Sequence, residues 1–286
     1  MDTLEHLDEF ESVFRRAEQE PFVYSDKKID HVLLVLDEQH DQTEVTIEAL
    51  KQFSAELADV EKWDTLRVGP NTTVQKLEED VKGSPADLLI TWRHLHEEAI
   101  VPRCSLGIYV DMLTQATDFP ILLLPGSVAS PATIQGRKCN TVLAATDHLA
   151  GDHRLVNYAA AITNPQGKLV LCHVEDDQTM QRYLQAIERI PEVNSELVRT
   201  KLQEQLSRDV ARYLQAAQQS MKEAGVPIQI ETELTTGHRL AMYKKLIASH
   251  KADLLVMNTK DDDQLAMHGL AYAMSVEFVE IPQLLL

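Results

Sequence analysis

Two α/β domains in tandem are what this sequence predicts, and three observations carry the prediction. One pattern of strand, polar loop, helix and strand is written twice. Asp87-Leu88-Leu89-Ile90 leads through Gly107 to Pro120 and Ile121–Leu124, and Asp253-Leu254-Leu255-Val256 leads through Gly269 to Pro282 and Leu284–Leu286. Glycine and proline stand thirteen residues apart in both copies. The near-continuous apolar runs His31–Asp37 and Asn140–Asp147 also repeat one shape, 110 residues apart and each ending in an aspartate. Unbroken rather than alternating hydrophobicity marks strands covered on both faces, as in a parallel sheet. A helical spacing of apolar residues follows each run, and strands alternating with helices define the α/β class.

Taken in order, Leu4, Leu7, Phe10, Val13, Phe14 and Ala17 predict a helix over 3–19, which Pro21 ends. Phe22-Val23-Tyr24 is β-prone and is expected to add an edge strand or pack on the first domain. Helices are expected over 43–57, 73–82, 152–163 and 239–249. The first domain has only the strand around Thr65–Gly69 between its first two helices, so it reads as abbreviated, lacking a counterpart of the strand at Lys168–Val174 and of the long helices. Asn194-Ser195 caps a helix that Gly225 and Pro227 stop, about 45 Å long at 1.5 Å per residue. Ile228–Leu234 alternates apolar and polar residues, which places it at a sheet edge. The Gly/Ser/Pro-rich stretch Pro125–Gly136 is the linker, making residues 1–130 and 138–286 the two domains.

The chain has 286 residues, enough for two ordinary cores, and a formal charge of −18 spread along its length. Such a surface repels polyanions, which argues against nucleic acid or an anionic membrane as partner. Nothing approaches the ~20 apolar residues of a membrane helix, and the N-terminus Met1-Asp2-Thr3-Leu4-Glu5 is acidic, unlike a signal peptide. Cys104, Cys139 and Cys172 have no paired spacing, so reduced thiols in the cytoplasm are expected.

In an open parallel sheet, ligands sit beyond the carboxyl ends of the strands where strand order reverses. That crevice lies here between the first strand, ending at Asp37 or Asp147, and the strand ending near Trp92 or Asn258. The arrangement resembles the universal stress protein family, in its tandem two-domain form, over residues 29–286. The resemblance implies two flavodoxin-like, adenine-nucleotide-hydrolase-like domains with parallel five-stranded sheets, the first abbreviated. It also implies that Ile121–Leu124 and Gln283–Leu286 pair across the domain boundary as in a family dimer, and that two chains can pair again.

Nucleotide-binding members carry G-x2-G-x9-G-[ST] and a strand-end aspartate. Asp37 and Asp147 match the aspartate, and Gly107 and Gly269 match the last glycine. The residue after each glycine is Ile108 or Leu270, so the phosphate-binding hydroxyl is missing, and the earlier glycines are absent. The nucleotide-site residues that the resemblance implies are Asp147, His148, Val174, Asn258, Thr259, Gly269 and Leu270, with Asp37 and Gly107 in the first domain. Asp261-Asp262-Asp263 would oppose a bare phosphate unless Mg²⁺ bridged them. Arg93, His94, His96 and Arg103 make the first domain's loop cationic.

His148, His153, His173 and Glu175 match no zinc spacing, and no nucleophile elbow or Ser-His-Asp pattern is present. The expectation is a non-enzymatic cytoplasmic stress-response protein without a resident cofactor, binding itself and an unidentified protein or small ligand. The alternative is an ATP- or AMP-binding protein, with Mg²⁺, that hydrolyses slowly. A third is a metal- or anion-responsive regulator using the first domain's histidines.

Overall fold

The computed structural model describes residues 22–39, 42–96, 105–117, 119–127, 134–146, 153–177, 181, 195–259, 267 and 269–286. The first half of the chain gives β1 (His31–Asp37), α1 (Thr43–Phe53), α2 (Ala55–Ala58), β2 (Lys62–Val68), α3 (Val74–Lys82), β3 (Leu88–Arg93), α4 (Ile108–Ala116) and β4 (Ile121–Ser127). The second gives β5 (Thr141–Ala145), α5 (His153–Ile162), β6 (Lys168–Asp176), α6 (Ser195–Glu223), β7 (Gln229–Gly237), α7 (Arg239–His250), β8 (Leu254–Met257), α8 (Gly269–Glu277) and β9 (Gln283–Leu285). The expected helix at 3–19 lies outside the described residues.

All nine strands join one sheet in the order β2-β1-β3-β4-β9-β8-β5-β6-β7. Every pair is parallel except β4 with β9, where Ile121, Leu122 and Leu123 face Leu285, Leu284 and Gln283 antiparallel. That is the pairing expected of the two closing strands, and it joins what would be two sheets into one. Side chains alternate between the faces, so β1 sends Val32, Leu34 and Leu36 one way and Leu33 and Val35 the other. Helices α1, α2, α5 and α6 cover the first face; α3, α4, α7 and α8 cover the second. Both apolar layers run through both halves of the chain.

The second half contributes five strands to this sheet and the first half four. The strand that the first half lacks is not the one expected. β2 lies beside β1, the place that β6 takes beside β5, yet its exposed-intermediate pattern is that of the edge strand β7. What is missing among the described residues is therefore the outermost strand, together with the long helix before it. β2 does the work of two strands: it neighbours the first strand and closes the edge.

Local sequence accounts for some helix ends. Thr73 accepts the Lys76 N–H at 3.1 Å and caps α3, and Gly225, at φ 71°, follows the end of the 29-residue α6. The expected helix 43–57 is broken at Ser54, whose backbone is extended and whose hydroxyl donates to the Ile162 carbonyl of α5 at 2.9 Å. Asn164 completes that join by accepting from Ala55 N at 2.7 Å and donating to Phe53 O at 3.1 Å.

Phe22–Asp30 forms no strand and, at its start, lies against the second half rather than the first. Phe22 packs edge-on to His153 at 5.1 Å, Tyr24 N donates to Ser220 Oγ at 2.9 Å and Ser25 N to Asn157 Oδ1 at 3.2 Å. The segment then crosses to the first half, where Ile29 N meets Glu56 Oε1 at 2.7 Å. A β-prone run was free to become this strap because Phe22 is buried between His153 of α5 and Tyr213 of α6.

Candidate functional site

Strand order reverses between β1 and β3 and between β5 and β8, and ligands in such sheets sit beyond the carboxyl ends at those two places. In the second half, Thr146 follows β5, and its N–H and hydroxyl both donate to Cys172 O, at 2.8 and 3.0 Å. Asp147 and His148 lie outside the described residues, as do Asp261, Asp262 and Asp263. Val174 is fully buried in the apolar layer under α7, leaving only its backbone for a ligand. Asn258 is half-buried. Thr259 is 3% exposed, and its N–H and hydroxyl both donate to Leu286 O, at 2.8 and 2.7 Å. Gly269 opens α8 and is exposed, while Leu270 leans on the apolar layer.

Two histidines of this half are engaged by the fold. His173 is fully buried; its Nδ1 donates to Thr146 O, and Nε2 lies 3.3 Å from Glu175 Oε2. His153 stacks on Tyr213 at 6.0 Å with planes 15° apart. Among the described residues, no group of three or more His, Cys, Asp or Glu side chains is placed to hold a metal ion. Cys139 is also fully buried, and burial, then the nearby Asp253 carboxylate, pushes its thiol well above the usual range.

In the first half, Asp37 is turned to local use. Its Oδ1 accepts Gln39 N at 2.8 Å and its Oδ2 lies 3.6 Å from His96 Nδ1. His94 and His96 take positive φ, 55° and 51°, in one tight turn after β3. The turn drives Leu95 into the apolar layer, fully buried, and His94 N donates to Leu106 O at 2.9 Å. Gly107, at φ 91°, caps α4, a conformation that glycine adopts without strain. Ile108 follows it and is 57% exposed.

Arg93 departs from expectation. Instead of lining a cationic loop it is 3% exposed, donating to Leu124 O at 3.2 Å and across the sheet to Ser275 O of α8 at 2.9 Å. Burial lowers its guanidinium to about 10. Aligning the two copies would have flagged it, since Arg93 and Thr259 each stand six residues after the repeated aspartate. Arg103 lies outside the described residues.

Among the described residues, no helix is long and apolar enough to cross a membrane. None of the curated proteins compared matches this chain. Among solved structures, a protein of Pseudomonas aeruginosa UCBPP-PA14 provisionally named a universal stress protein is similar at 15% identity and TM-score 0.50, over 90% of this chain and 93% of that one. A universal stress protein from Archaeoglobus fulgidus DSM 4304 is similar at 13% identity and TM-score 0.49, over 89% and 84%. The first likeness shows the fold, an α/β architecture of the flavodoxin type. In sequence, residues 138–270, which hold β5 to the start of α8, match the model of the universal stress protein family.

Proposed function

We propose that the whole chain is a universal stress protein that works by binding rather than by catalysis, in the cytoplasm, through a partner protein or a small ligand. One observation carries this reading: the Thr259 hydroxyl is spent on the Leu286 carbonyl, and the residue following Gly269 is Leu270. A phosphate at the start of α8 would find the helix N-terminus but no hydroxyl to complete its cradle. In the first half the turn that buries Leu95 and sets His96 beside Asp37 supports the same reading. The antiparallel β4–β9 pair supports reading the chain as a dimer of halves in one molecule.

Heat denaturation of the purified protein tests this, with the supernatant assayed for nucleotide and the native protein titrated with ATP and AMP, with and without Mg²⁺. The expected result is no released nucleotide and no saturable binding. Stoichiometric ATP or AMP would overturn it in favour of the second reading, in which Asp147, Thr259 and Gly269 hold a nucleotide that is slowly hydrolysed. Gly269, exposed at the first position of α8, is the feature that favours that second reading.

A further inference from the structure

The seam between the halves collects three buried polar atoms that have no hydrogen-bond partner among the described residues: Arg93 Nε, Ser275 Oγ and Gln283 Oε1. Their side chains belong to one neighbourhood. Arg93 donates to Ser275 O at 2.9 Å, and Gln283 Nε2 donates to Phe278 O at 2.7 Å, three residues on and just past the end of α8. Gln283 is the β9 residue paired with Leu123 of β4, next to the Leu124 carbonyl that Arg93 also reaches. All three residues are buried: Arg93 is 3% exposed, Ser275 and Gln283 fully enclosed. Such groups in a native interior normally find a partner, in the protein or in an ordered water.

The donor and acceptor inventory decides what the partner is. Arg93 Nε–H only donates; Gln283 Oε1 only accepts, because its Nε2 is fixed on Phe278 O; the Ser275 hydroxyl does either. An anion would satisfy the two donors but face the Gln283 oxygen and the carbonyl-rich C-terminus of α8. A metal cation would lie against the Arg93 charge. A neutral molecule that accepts once, donates once and takes either role in a third bond fits all three.

We propose that the seam binds one structural water, held by Arg93 Nε, Ser275 Oγ and Gln283 Oε1, which ties β3 of the first half to α8 and β9 of the second. It completes a polar join in which every group is satisfied, and such joins fix one arrangement of the parts they connect.

Crystals of the full chain soaked in sodium bromide test the ligand. The expected result is one solvent peak about 2.7–3.2 Å from all three atoms, with no bromide anomalous signal. A bromide peak there overturns the water in favour of an anion, and a seam without solvent density overturns it outright. Thermal melts of Ser275→Ala, Gln283→Leu and the double variant give an independent reading. Two residues sharing one water lose it once, so the double variant is expected to melt at least about 2 °C above the temperature that the summed losses give. Losses that simply add overturn the shared site.

Discussion

The two copies of the repeated unit, 87–124 and 253–286, perform the same backbone work with side chains that agree at one end and differ at the other. At the start, Asp87 Oδ2 accepts from Asp30 N and His31 N, and Asp253 Oδ2 accepts from Asn140 N and Thr141 N. One carboxylate thus caps the start of each first strand. At the far end, Arg93 donates to Leu124 O and Thr259 donates to Leu286 O. The shared requirement is a donor for the carbonyl four residues after the repeated proline, and chemistry as different as a guanidinium and a hydroxyl meets it. The difference lies in reach. Threonine stops within its own unit, whereas arginine continues to Ser275 O of the other copy, so the two copies differ at the seam.

The largest effect expected concerns the two places where strand order reverses. Leu95 is fully buried after β3, and the equivalent position eight residues after the second aspartate is Asp261. Leu95→Ala is expected to cost about 2–5 kcal/mol in urea unfolding, and a loss below about 1 kcal/mol would mean that the turn is not packed into the apolar layer. Next come the two strand-end donors. Arg93→Met removes two charge-assisted bonds while relieving a desolvated cation, a net loss of about 2–3 kcal/mol; Thr259→Val removes one neutral bond, about 1 kcal/mol. Equal losses in the two variants would show that the bond to Ser275 contributes nothing and that the two donors do the same work.

The smallest effect belongs to the strap. Burial, then the Asp26 and Glu56 carboxylates, raises the Tyr24 phenol from 10.0 to about 12. A group whose neutral form is favoured by folding contributes stability below pH 10 and loses it as pH rises through 12. The difference in 295 nm absorbance between the wild type and Tyr24→Phe is therefore expected to titrate near 12. A midpoint at 10 would free the strap from its packing against the second half.

Much of the architecture was legible. Unbroken apolar runs marked β1 and β5 as doubly covered, alternation marked β7 as an edge, and the family resemblance implied the β4–β9 pair. The abbreviated half was legible in its length but not in its pairing. Whether the strand at 62–68 lies beside β1 or beyond another strand depends on which neighbour is present, and its own residues do not say. The candidate site was less legible still. Thr259 and Asp37 were found by position, but their present partners, Leu286 O, Gln39 N and His96, depend on how the loops turn.

By itself the sequence determined the class of fold and the order of its elements, because periodicity and spacing are local properties that a residue carries wherever it goes. Only the tertiary structure decided that Arg93 would leave its loop and clasp a helix 182 residues away, and that Phe22–Tyr24 would become a strap rather than a strand. A buried polar group takes its partner from whatever the rest of the chain brings within about 3 Å, and that is fixed by packing, not by its neighbours in sequence.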